Sequence, residues 1–273
     1  MRISYTLIII YSLMAFIIAV FGAPFIWMFV TSIKPDEEIV RYPIEWIPDN
    51  PTFEAYYRLF NKYPIMRWFF NSIVIASITT LITIITNLLA AYPLSKMRFK
   101  GKNIFLLMIL STFLLPGELL LVPLFLGLSE FQITDIYFSL SVPAAANAFG
   151  IFLLMQFFKR LPYELDEAAR VDGCSRLEIL TKIYLPLSKP AIATVAIFTF
   201  VRSWNEFFWP LIVCNSDETR TITVGIATFV SRGLSSSFGI LMSSAFVASV
   251  PAILFFLLFQ RYFVVGISTT GIK

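Results

Sequence analysis

The stretch Glu167-Ala-Ala-Arg-Val-Asp-Gly-Cys-Ser-Arg-Leu-Glu178 decides the fold, because it is a polar run between two apolar stretches and carries its own helix signals. Acidic residues open this region, where a helix dipole favours negative charge, and Gly173 can supply the left-handed residue that ends a helix. Ser175 and Glu178 form the S-x-x-E pattern of a capping box, which begins a second helix that we expect to close before Pro186. The run predicts two short helices joined by a glycine turn.

The segment that contains this run, residues 159–190, is too long and too polar for a simple connector. Pro162 fits the first helical position, and Leu165, Ala168 and Ala169 follow at a spacing that places them on one small, weakly apolar helix face. Such a face suits close approach by another surface. We call residues Leu161–Pro190 the elbow. It is either a capped connector that lies on the lipid headgroups or a mechanical element that transmits movement to the membrane helices.

The apolar content of the chain requires contact with lipid. Apolar residues make up 58% of the 273 residues and charged residues 14%, whereas soluble domains have about 45–50% and about 25%. Six stretches are long enough for a helix that crosses a bilayer, which needs about 20 residues. They are Leu7–Val30, Trp68–Leu94, Ile104–Gly127, Tyr137–Phe158, Ala191–Cys214 and Gly239–Val265. The sequence predicts an all-α membrane protein with six transmembrane helices in a single domain, residues 1–273.

Lys and Arg residues set the predicted orientation, because short loops on the cytoplasmic side carry an excess of them. Six spans place both ends of the chain on one side, where most of the basic residues gather. These are Arg2, the Lys96–Lys102 loop, the Lys159–Lys189 segment, Arg261 and Lys273. We therefore expect both termini in the cytoplasm. The basic charge then reflects topology and gives no reason to expect nucleic acid as a partner.

Two features near the N-terminus have alternative interpretations. The apolar run Leu7–Phe21 precedes the small residues Gly22–Ala23, as in a secretory signal, although the run continues to Val30 and is long enough to span. The external loop Thr31–Met66, residues 31–66, is rich in proline and leaves room for one short helix over Thr52–Asn61. This loop is either a folded cap or a docking surface for an external partner.

Ionisable side chains inside the spans are costly and usually face a protein interior or a water-filled path. Glu118 follows Pro116-Gly117, where we expect a broken helix. Arg202 and Glu206 are four residues apart and either neutralise each other along one helix face or lie near a transport pathway.

In the pathway interpretation, Trp204, Asn205 and Glu206 combine an aromatic ring with polar groups, as in other small-molecule sites. Asn147 on the fourth span is a similar candidate. Because the sequence has no His and two Cys, we expect no catalytic residue and no metal site.

The elbow resembles the EAA loop of ATP-binding-cassette (ABC) importer permeases, in which Glu167-Ala168-Ala169 is followed at fixed spacing by Gly173 and Ile183-Tyr-Leu185-Pro186. Further matches resemble the second permease subunit of maltose-type carbohydrate uptake systems. They are Trp46-Ile-Pro48 with Tyr56, Phe70-Asn71-Ser72, Tyr92 with Phe99-Lys-Gly101, Pro116-Gly117 with Pro123, Phe152 with Pro162, and Trp204-Asn205-Glu206-Phe207.

This resemblance implies the type I ABC importer permease fold, in a prokaryotic inner (plasma) membrane, for carbohydrate import. The implied partners are a second homologous permease, a cytoplasmic ABC ATPase dimer and an extracytoplasmic sugar-binding protein. The implied ATPase-coupling residues are Glu167, Ala168, Ala169, Gly173, Ile183, Leu185 and Pro186. The chain has no G-x-x-x-x-G-K-[ST] phosphate loop, so we expect no cofactor in it, with ATP and Mg bound by the ATPase.

Three other functions are alternatives to that of a carbohydrate importer permease. A secondary transporter would bind a coupling proton or sodium ion at Glu118 or Glu206, but the inverted repeats common in that class are not evident. An ABC importer for an amino acid, phosphate or a peptide would share the elbow. A membrane-embedded enzyme would need clustered His, Asp or Cys in the spans, which the sequence lacks.

Overall fold

The computed structural model describes residues 5–145, 147–231 and 238–268, and these residues form helices and turns without a strand. The α-helices are α1 Tyr5–Ser32, α2 Asp36–Ile39, α3 Glu54–Lys62, α4 Ile65–Lys96, α5 Lys102–Ser111, α6 Leu121–Glu130, α7 Tyr137–Ala145, α8 Ala148–Arg160, α9 Glu164–Val171, α10 Arg176–Ile179, α11 Leu185–Leu187, α12 Lys189–Trp204, α13 Phe208–Val213, α14 Ile222–Ser231 and α15 Phe238–Ser268. The predicted all-α class is confirmed. Arg2 and Lys273, which support the predicted orientation, lie outside the described residues.

Three helical segments are long and apolar enough to cross a membrane by themselves: Leu7–Ser32, Ile65–Lys96 and Phe238–Phe255. Three bent pairs pass the same test, and they are Lys102–Leu114 with Gly117–Glu130 at 99°, Tyr137–Ala145 with Ala148–Arg160 at 48°, and Arg176–Leu187 with Lys189–Trp204 at 83°. Counting each pair as one span gives up to six, the number that the sequence predicts.

The predicted third span, Ile104–Gly127, is broken and not straight. The chain turns by 99° between Lys102–Leu114 and Gly117–Glu130, at the Pro116-Gly117 step where the sequence predicts a break. Pro116 has no N–H, and its φ of −58° and ψ of 128° lie outside the helical region. The preceding residue is disfavoured in a helix by the proline ring, so the first half of the span stops there.

The predicted fourth span, Tyr137–Phe158, is also interrupted, which its sequence does not indicate. Asn147 adopts an extended conformation, with φ −133° and ψ 104°. Its side chain accepts hydrogen bonds from the N–H groups of Phe149 and Gly150 and thereby caps α8. The short polar side chain therefore starts a new helix inside the apolar stretch.

The predicted fifth span, Ala191–Cys214, is divided into α12 and α13 by three residues that follow Trp204. Pro210 has no N–H to donate to the carbonyl of Glu206, four residues earlier. The hydroxyl of Thr223 donates to that carbonyl instead, at 2.9 Å. A residue distant in sequence thus satisfies the backbone group that the break leaves open.

The chain divides into two compact units, of which the first comprises Met1–Arg67 and Gly225–Pro251. In this unit α1 continues past Gly22–Ala23 to Ser32 as one helix. The external loop is folded: Arg58 Nη2 donates to Asp36 Oδ2 at 2.9 Å, and Leu59 has no exposed surface. These contacts agree with the cap interpretation, and the docking role of the loop stays a prediction.

The short helix of this loop, α3, begins at Glu54, two residues later than predicted. Thr52 lies just before it, and its hydroxyl accepts a hydrogen bond from the Glu54 N–H at 3.2 Å.

The second unit comprises Trp68–Val224 and Ala252–Lys273 and contains the elbow. Its main core combines side chains of α4, α8, α12 and the elbow helices. The buried members are Leu88, Ala91, Tyr92, Leu94, Leu154, Met155, Phe158, Ala169, Ile179, Leu180, Tyr184, Ala191 and Val195. The elbow is therefore part of the core of this unit and not a connector that lies apart from it.

Candidate functional site

The first elbow helix, α9, begins at Glu164, so the predicted first helical position for Pro162 is wrong by two residues. The Tyr163 carbonyl accepts the first hydrogen bonds, from the N–H groups of Asp166 at 3.0 Å and Glu167 at 3.2 Å. The acids Glu164, Asp166 and Glu167 lie in the first turn, as predicted. The helix dipole stabilises negative charge at that end.

Gly173 has the left-handed conformation that the sequence predicts, with φ +81°. The Cys174 N–H donates to the Ala169 carbonyl at 2.9 Å, and the Gly173 N–H donates to the Arg170 carbonyl at 3.0 Å. These are the two bonds of a Schellman motif, which ends a helix and turns the chain. A Cβ at Gly173 would meet no heavy atom within 4 Å, so the surface beside this turn is open.

Ser175 and Glu178 form the predicted capping box at the start of α10. The Ser175 N–H donates to Glu178 Oε2 at 2.9 Å, and the Glu178 N–H donates to Ser175 Oγ at 3.4 Å. Lys182 Nζ donates to Glu178 Oε1 at 2.8 Å. The hydrogen bond from Lys182, together with those from Ser175, lowers the pKa of Glu178 to about 2.

The second elbow helix continues past Pro186, so the prediction that it closes before this residue is wrong. A π turn covers Leu180–Tyr184, and the N–H of Leu185 donates to the carbonyl of Leu180. This wider turn places its last donor immediately before the residue that lacks an N–H, so the proline is accommodated. The helix ends at Leu187, and the chain bends by 83° into α12.

A buried carboxylate joins both elbow helices to α4. Asp166 has no exposed surface, and it accepts hydrogen bonds from Tyr92 Oη at 2.7 Å, from Arg176 Nη1 at 3.2 Å and from Arg170 Nη2. We call these four residues the Asp166 clasp. A buried carboxylate is costly unless charged donors compensate its lost hydration, and the two guanidinium groups do this.

The end of α4 holds the elbow at two further points. The Lys96 ammonium group donates to the Leu161 carbonyl at 2.6 Å, and the residue is only 5% exposed. The Tyr184 ring packs against the rings of Tyr92 and Phe158, at centroid distances of 5.2 and 5.3 Å. The hydrogen bonds of Tyr92 and Lys96 and the ring packing fix the elbow to α4, whereas the ion pairs of Asp166 lie within the elbow.

The predicted coupling residues do not all face outward. Ala169 is 4% exposed and packs in the core, and Ile183 is half-buried. The predicted outer face of Leu165, Ala168 and Ala169 is therefore divided, because α9 directs Ala169 inward. The exposed coupling residues are Glu167, Ala168, Gly173, Leu185 and Pro186.

Large apolar side chains lie exposed beside the glycine turn of the elbow. Val171 is 88% exposed and Leu177 is 61% exposed. Val171 ends α9, and Leu177 lies in the first turn of α10. These exposed apolar side chains on either side of the turn are available to contact another protein.

A cavity of about 420 Å³ lies where the three predicted spans are interrupted. Glu118 follows the first break, and Asn147 and Glu206 lie within the second and third; all three line the cavity. Irregular backbone at membrane depth is tolerated where it lines such a space or is buried in protein. Three of the predicted pathway residues are thus brought together although they are distant in sequence.

Arg202 and Glu206 both line this cavity but are not paired along one helix face. Helix α12 ends at Trp204, so Glu206 lies beyond the helical spacing on which the predicted pair depends. Among the described residues, no ion pair within 4.0 Å joins the two side chains. The cavity lining therefore carries two carboxylates and one guanidinium group.

Trp204 and Asn205 are not among the residues that line the cavity. The Trp204 ring is 2% exposed and packs against Phe69 and Phe200, at centroid distances of 5.6 and 6.3 Å. The Asn205 side chain is exposed and donates to the carbonyl of Val201 at 2.8 Å. Their predicted contact with the cargo stays a prediction.

Comparison with known proteins identifies the family of the chain. Residues 83–268 match the family described as binding-protein-dependent transport system inner membrane component. The matched part includes the elbow and all the cavity-lining side chains named above. The chain belongs to this family of transport permeases.

Relatives of the permease match nearly its whole length. The arabinooligosaccharides transport system permease protein AraQ of Halalkalibacterium halodurans is 33% identical, over 99% of this chain and 96% of that protein. The trehalose/maltose transport system permease protein MalG of Thermococcus litoralis is 34% identical, over 98% of this chain and 96% of that protein.

A solved structure shares the fold of the permease. This is a chain of a bacterial ABC transporter involved in the import of the acidic polysaccharide alginate, with a TM-score of 0.82 and 25% identity, and the match covers 96% of this chain and 99% of that chain. The predicted ABC importer permease fold is confirmed.

Sequence patterns do not reveal the residues that attach the elbow of the permease. Asp166 is one of three acids in the first turn of α9, and local spacing does not distinguish it from the exposed Glu164. Tyr92 and Lys96 lie at the end of an apolar span, more than sixty residues earlier in the chain. Their roles depend on tertiary contacts.

Proposed function

We propose that the permease forms half of the translocation pathway of an ATP-driven carbohydrate importer. The observation that carries this proposal is the elbow, which is fixed to α4 by the Asp166 clasp while Val171 and Leu177 remain exposed. A rigid element with an apolar outer surface suits contact with a separate cytoplasmic ATPase dimer, which would bind ATP and Mg. In this arrangement the elbow and both termini lie in the cytoplasm.

The rigidity of the elbow has an energetic reason. To shift a two-state equilibrium between outward-facing and inward-facing forms from 1:99 to 99:1, a partner must favour one form by roughly 5.5 kcal/mol. A flexible connector would bend and would not pass this free-energy difference on to the membrane helices. The π turn, the Schellman turn and the capping box give the elbow a defined shape, and the clasp connects that shape to a membrane helix.

The charges and polar groups that line the cavity favour a polar, uncharged cargo. Glu118, Glu206 and Arg202 supply charged hydrogen-bonding groups, and Asn147 supplies an amide, which together can bind sugar hydroxyls as donors and acceptors. With two carboxylates and one guanidinium group, the lining gives no excess positive charge to attract an anion. Saccharides are the cargo in the names of the AraQ and MalG relatives. We therefore propose a saccharide, delivered by an external binding protein and shared with a second permease.

The test measures association and transport separately. The tagged permease is expected to co-purify with an ATPase, a second permease and a sugar-binding protein. The assembled complex in vesicles should take up the saccharide that this binding protein holds, only with ATP on the elbow side. Uptake by the isolated chain in response to a proton or sodium gradient would overturn the proposal.

A pair of valine variants tests the contact surface of the elbow. Val171→Asp places a charge on the exposed surface beside the glycine turn and is expected to reduce co-purification of the ATPase. Val40→Asp is the matched control, because Val40 is 71% exposed and lies on the external loop. Equal ATPase recovery with both variants would contradict the proposed elbow contact.

A further inference from the structure

A surface pocket of about 480 Å³ lies in the loop that connects α4 to α5. The lining residues are Met97, Arg98, Phe99, Gly101, Lys102, Asn103 and Ile104. We call this the loop pocket. The transport cycle described above does not use it.

The loop pocket carries positive charge that no acid offsets. Arg98 and Lys102 line it, and the charges of Lys159 and Arg98 both act on Lys102. In the part of the chain that the structure describes, none of these three cations forms an ion pair with a carboxylate within 4.0 Å. The pocket is therefore complementary to an anion.

The Lys102 ammonium group is held in position. Its Nζ donates to the carbonyl of Met97 at 3.0 Å and approaches that of Ser95 at 3.5 Å. A lysine has three N–H donors, so one remains for a ligand. A basic loop that served only to orient the spans would need positive charge but not a fixed ammonium group in a pocket.

Apolar side chains border the charged pocket on the α5 side. Ile104, Phe105 and Met108 are 62%, 53% and 52% exposed, and the Phe99 ring lies 6.2 Å from the Phe105 ring. The pocket lies between the ends of two helices of the apolar spans, and so at the bilayer surface. A ligand with an anionic head and a hydrocarbon tail matches both parts of this surface, whereas a soluble anion matches only one.

We propose that the loop pocket binds the phosphate group of an anionic phospholipid. Arg98 and Lys102 contact the phosphate oxygens, and an acyl chain lies along the exposed face of α5. Guanidinium and ammonium groups are the usual phosphate donors, and basic pockets at helix ends bind anionic headgroups in other membrane proteins.

The experiment compares lipid retention by the full-length permease complex in mixed phosphatidylglycerol and phosphatidylcholine nanodiscs, read by native mass spectrometry. The wild type should retain phosphatidylglycerol preferentially. Arg98→Gln/Lys102→Gln should lower that preference about thirtyfold, since each basic residue near the surface contributes about a factor of five. Arg41→Gln/Lys62→Gln removes the same charge from exposed positions of the external loop and should leave the preference unchanged.

Two further measurements complete the test. Arg98→Lys/Lys102→Arg keeps both charges and should retain the lipid, so its behaviour separates lost binding from misfolding. Excess inorganic phosphate should not displace the lipid, because it lacks the acyl chain. The proposal is overturned if the glutamine variant keeps the preference, if the control loses it equally, if the charge-conserving variant loses it, or if phosphate displaces the lipid.

Discussion

The hydroxyl of Tyr92, near the end of α4, donates a 2.7 Å hydrogen bond to the buried carboxylate of Asp166 in the elbow. Toward the other end of α4, Ile75 and Thr79 line a small pocket that Asn147, Arg202 and Glu206 also line. Thr79 and Tyr92 are separated by about 20 Å along the helix, at 1.5 Å per residue. One helix therefore runs from the elbow to a small pocket that shares Asn147, Arg202 and Glu206 with the cavity. Under the proposed function we expect movement of the elbow to reach the cavity through α4.

Asp166→Asn is expected to weaken this connection. The amide can still accept from Tyr92, but the charge that pairs with Arg170 and Arg176 is lost. We expect the free energy of unfolding to fall by about 2 kcal/mol, and transport per ATP hydrolysed to fall more steeply than ATPase recovery. Thermal unfolding measures the loss of stability. Vesicle uptake per ATP hydrolysed, compared with co-purification of the ATPase, measures the loss of coupling.

The matched control for Asp166→Asn is Asp172→Asn, at the other end of the same helix. Asp172 is exposed, and the substitution should leave both the unfolding temperature and uptake near wild type. Tyr92→Phe removes only the hydroxyl and should give a smaller loss in the same direction. If Asp166→Asn and Asp172→Asn behave alike, the clasp does not couple the elbow to α4.

Gly173→Asp should abolish uptake while the protein remains inserted in the membrane. The φ of +81° at this position costs a residue with a Cβ roughly 1–2 kcal/mol, and the open space beside it directs the new charge to the surface. Gly173→Ala imposes the backbone strain without the charge and should retain part of the uptake. Normal uptake by Gly173→Asp would show that this turn does not contact the ATPase.

The caps of the elbow helices could be predicted from the sequence, and the positions at which its prolines permit a helix could not. The Ser175–Glu178 capping box and the left-handed Gly173 depend on neighbours within a few residues, and both are confirmed. The proline positions were harder, because the π turn before Pro186 allows the helix to continue. Pro162 was also assigned wrongly, because Tyr163 directly precedes the helix and supplies its first backbone acceptor.

The cavity shows the same limit of sequence reasoning. The break at Pro116-Gly117 was predictable from the missing N–H. The break at Glu206 is stabilised by the Thr223 hydroxyl, which is 17 residues away, and no local pattern indicates that contact. The candidate residues Trp204 and Asn205 were grouped with Glu206 by sequence proximity. The Trp204 ring packs among other aromatic rings and the Asn205 amide donates back to α12, so neither side chain lines the cavity.

The capping box of α10 should depend on pH. The folded-state pKa of Glu178 is about 2, lowered from 4.5 by the hydrogen bonds from Lys182 and Ser175. A lowered folded pKa means that the carboxylate contributes stability above the unfolded value, and that this contribution is lost as pH falls from about 4.5 toward about 2. Hydrogen exchange of the α10 amides, corrected for intrinsic rates, should therefore quicken across this window.

Glu178→Gln is the control for the pH experiment, since glutamine keeps a side-chain acceptor for the Ser175 N–H but does not titrate. In this variant the protection of the α10 amides should be lower at neutral pH and should not change between pH values of about 4.5 and 2. The same acid-dependent loss of protection in both proteins would assign it to another group.

Asn147 tests whether the cavity contacts the cargo, because its side chain has two separable functions. Its Oδ1 caps α8 by accepting from the Phe149 N–H at 2.9 Å, while its amide N–H₂ group is the only donor that the side chain offers. Asn147→Asp keeps the acceptor, removes the donor and adds a third carboxylate to the cavity. We therefore expect α8 to remain capped while saccharide uptake falls by at least about tenfold, the loss for one hydrogen bond. Asn147→Ala loses both and should also lower the unfolding free energy by about 1 kcal/mol. Asn205→Asp is the matched control outside the cavity. Uptake that falls equally with Asn205→Asp, or that is unchanged with Asn147→Asp, would remove Asn147 from the pathway.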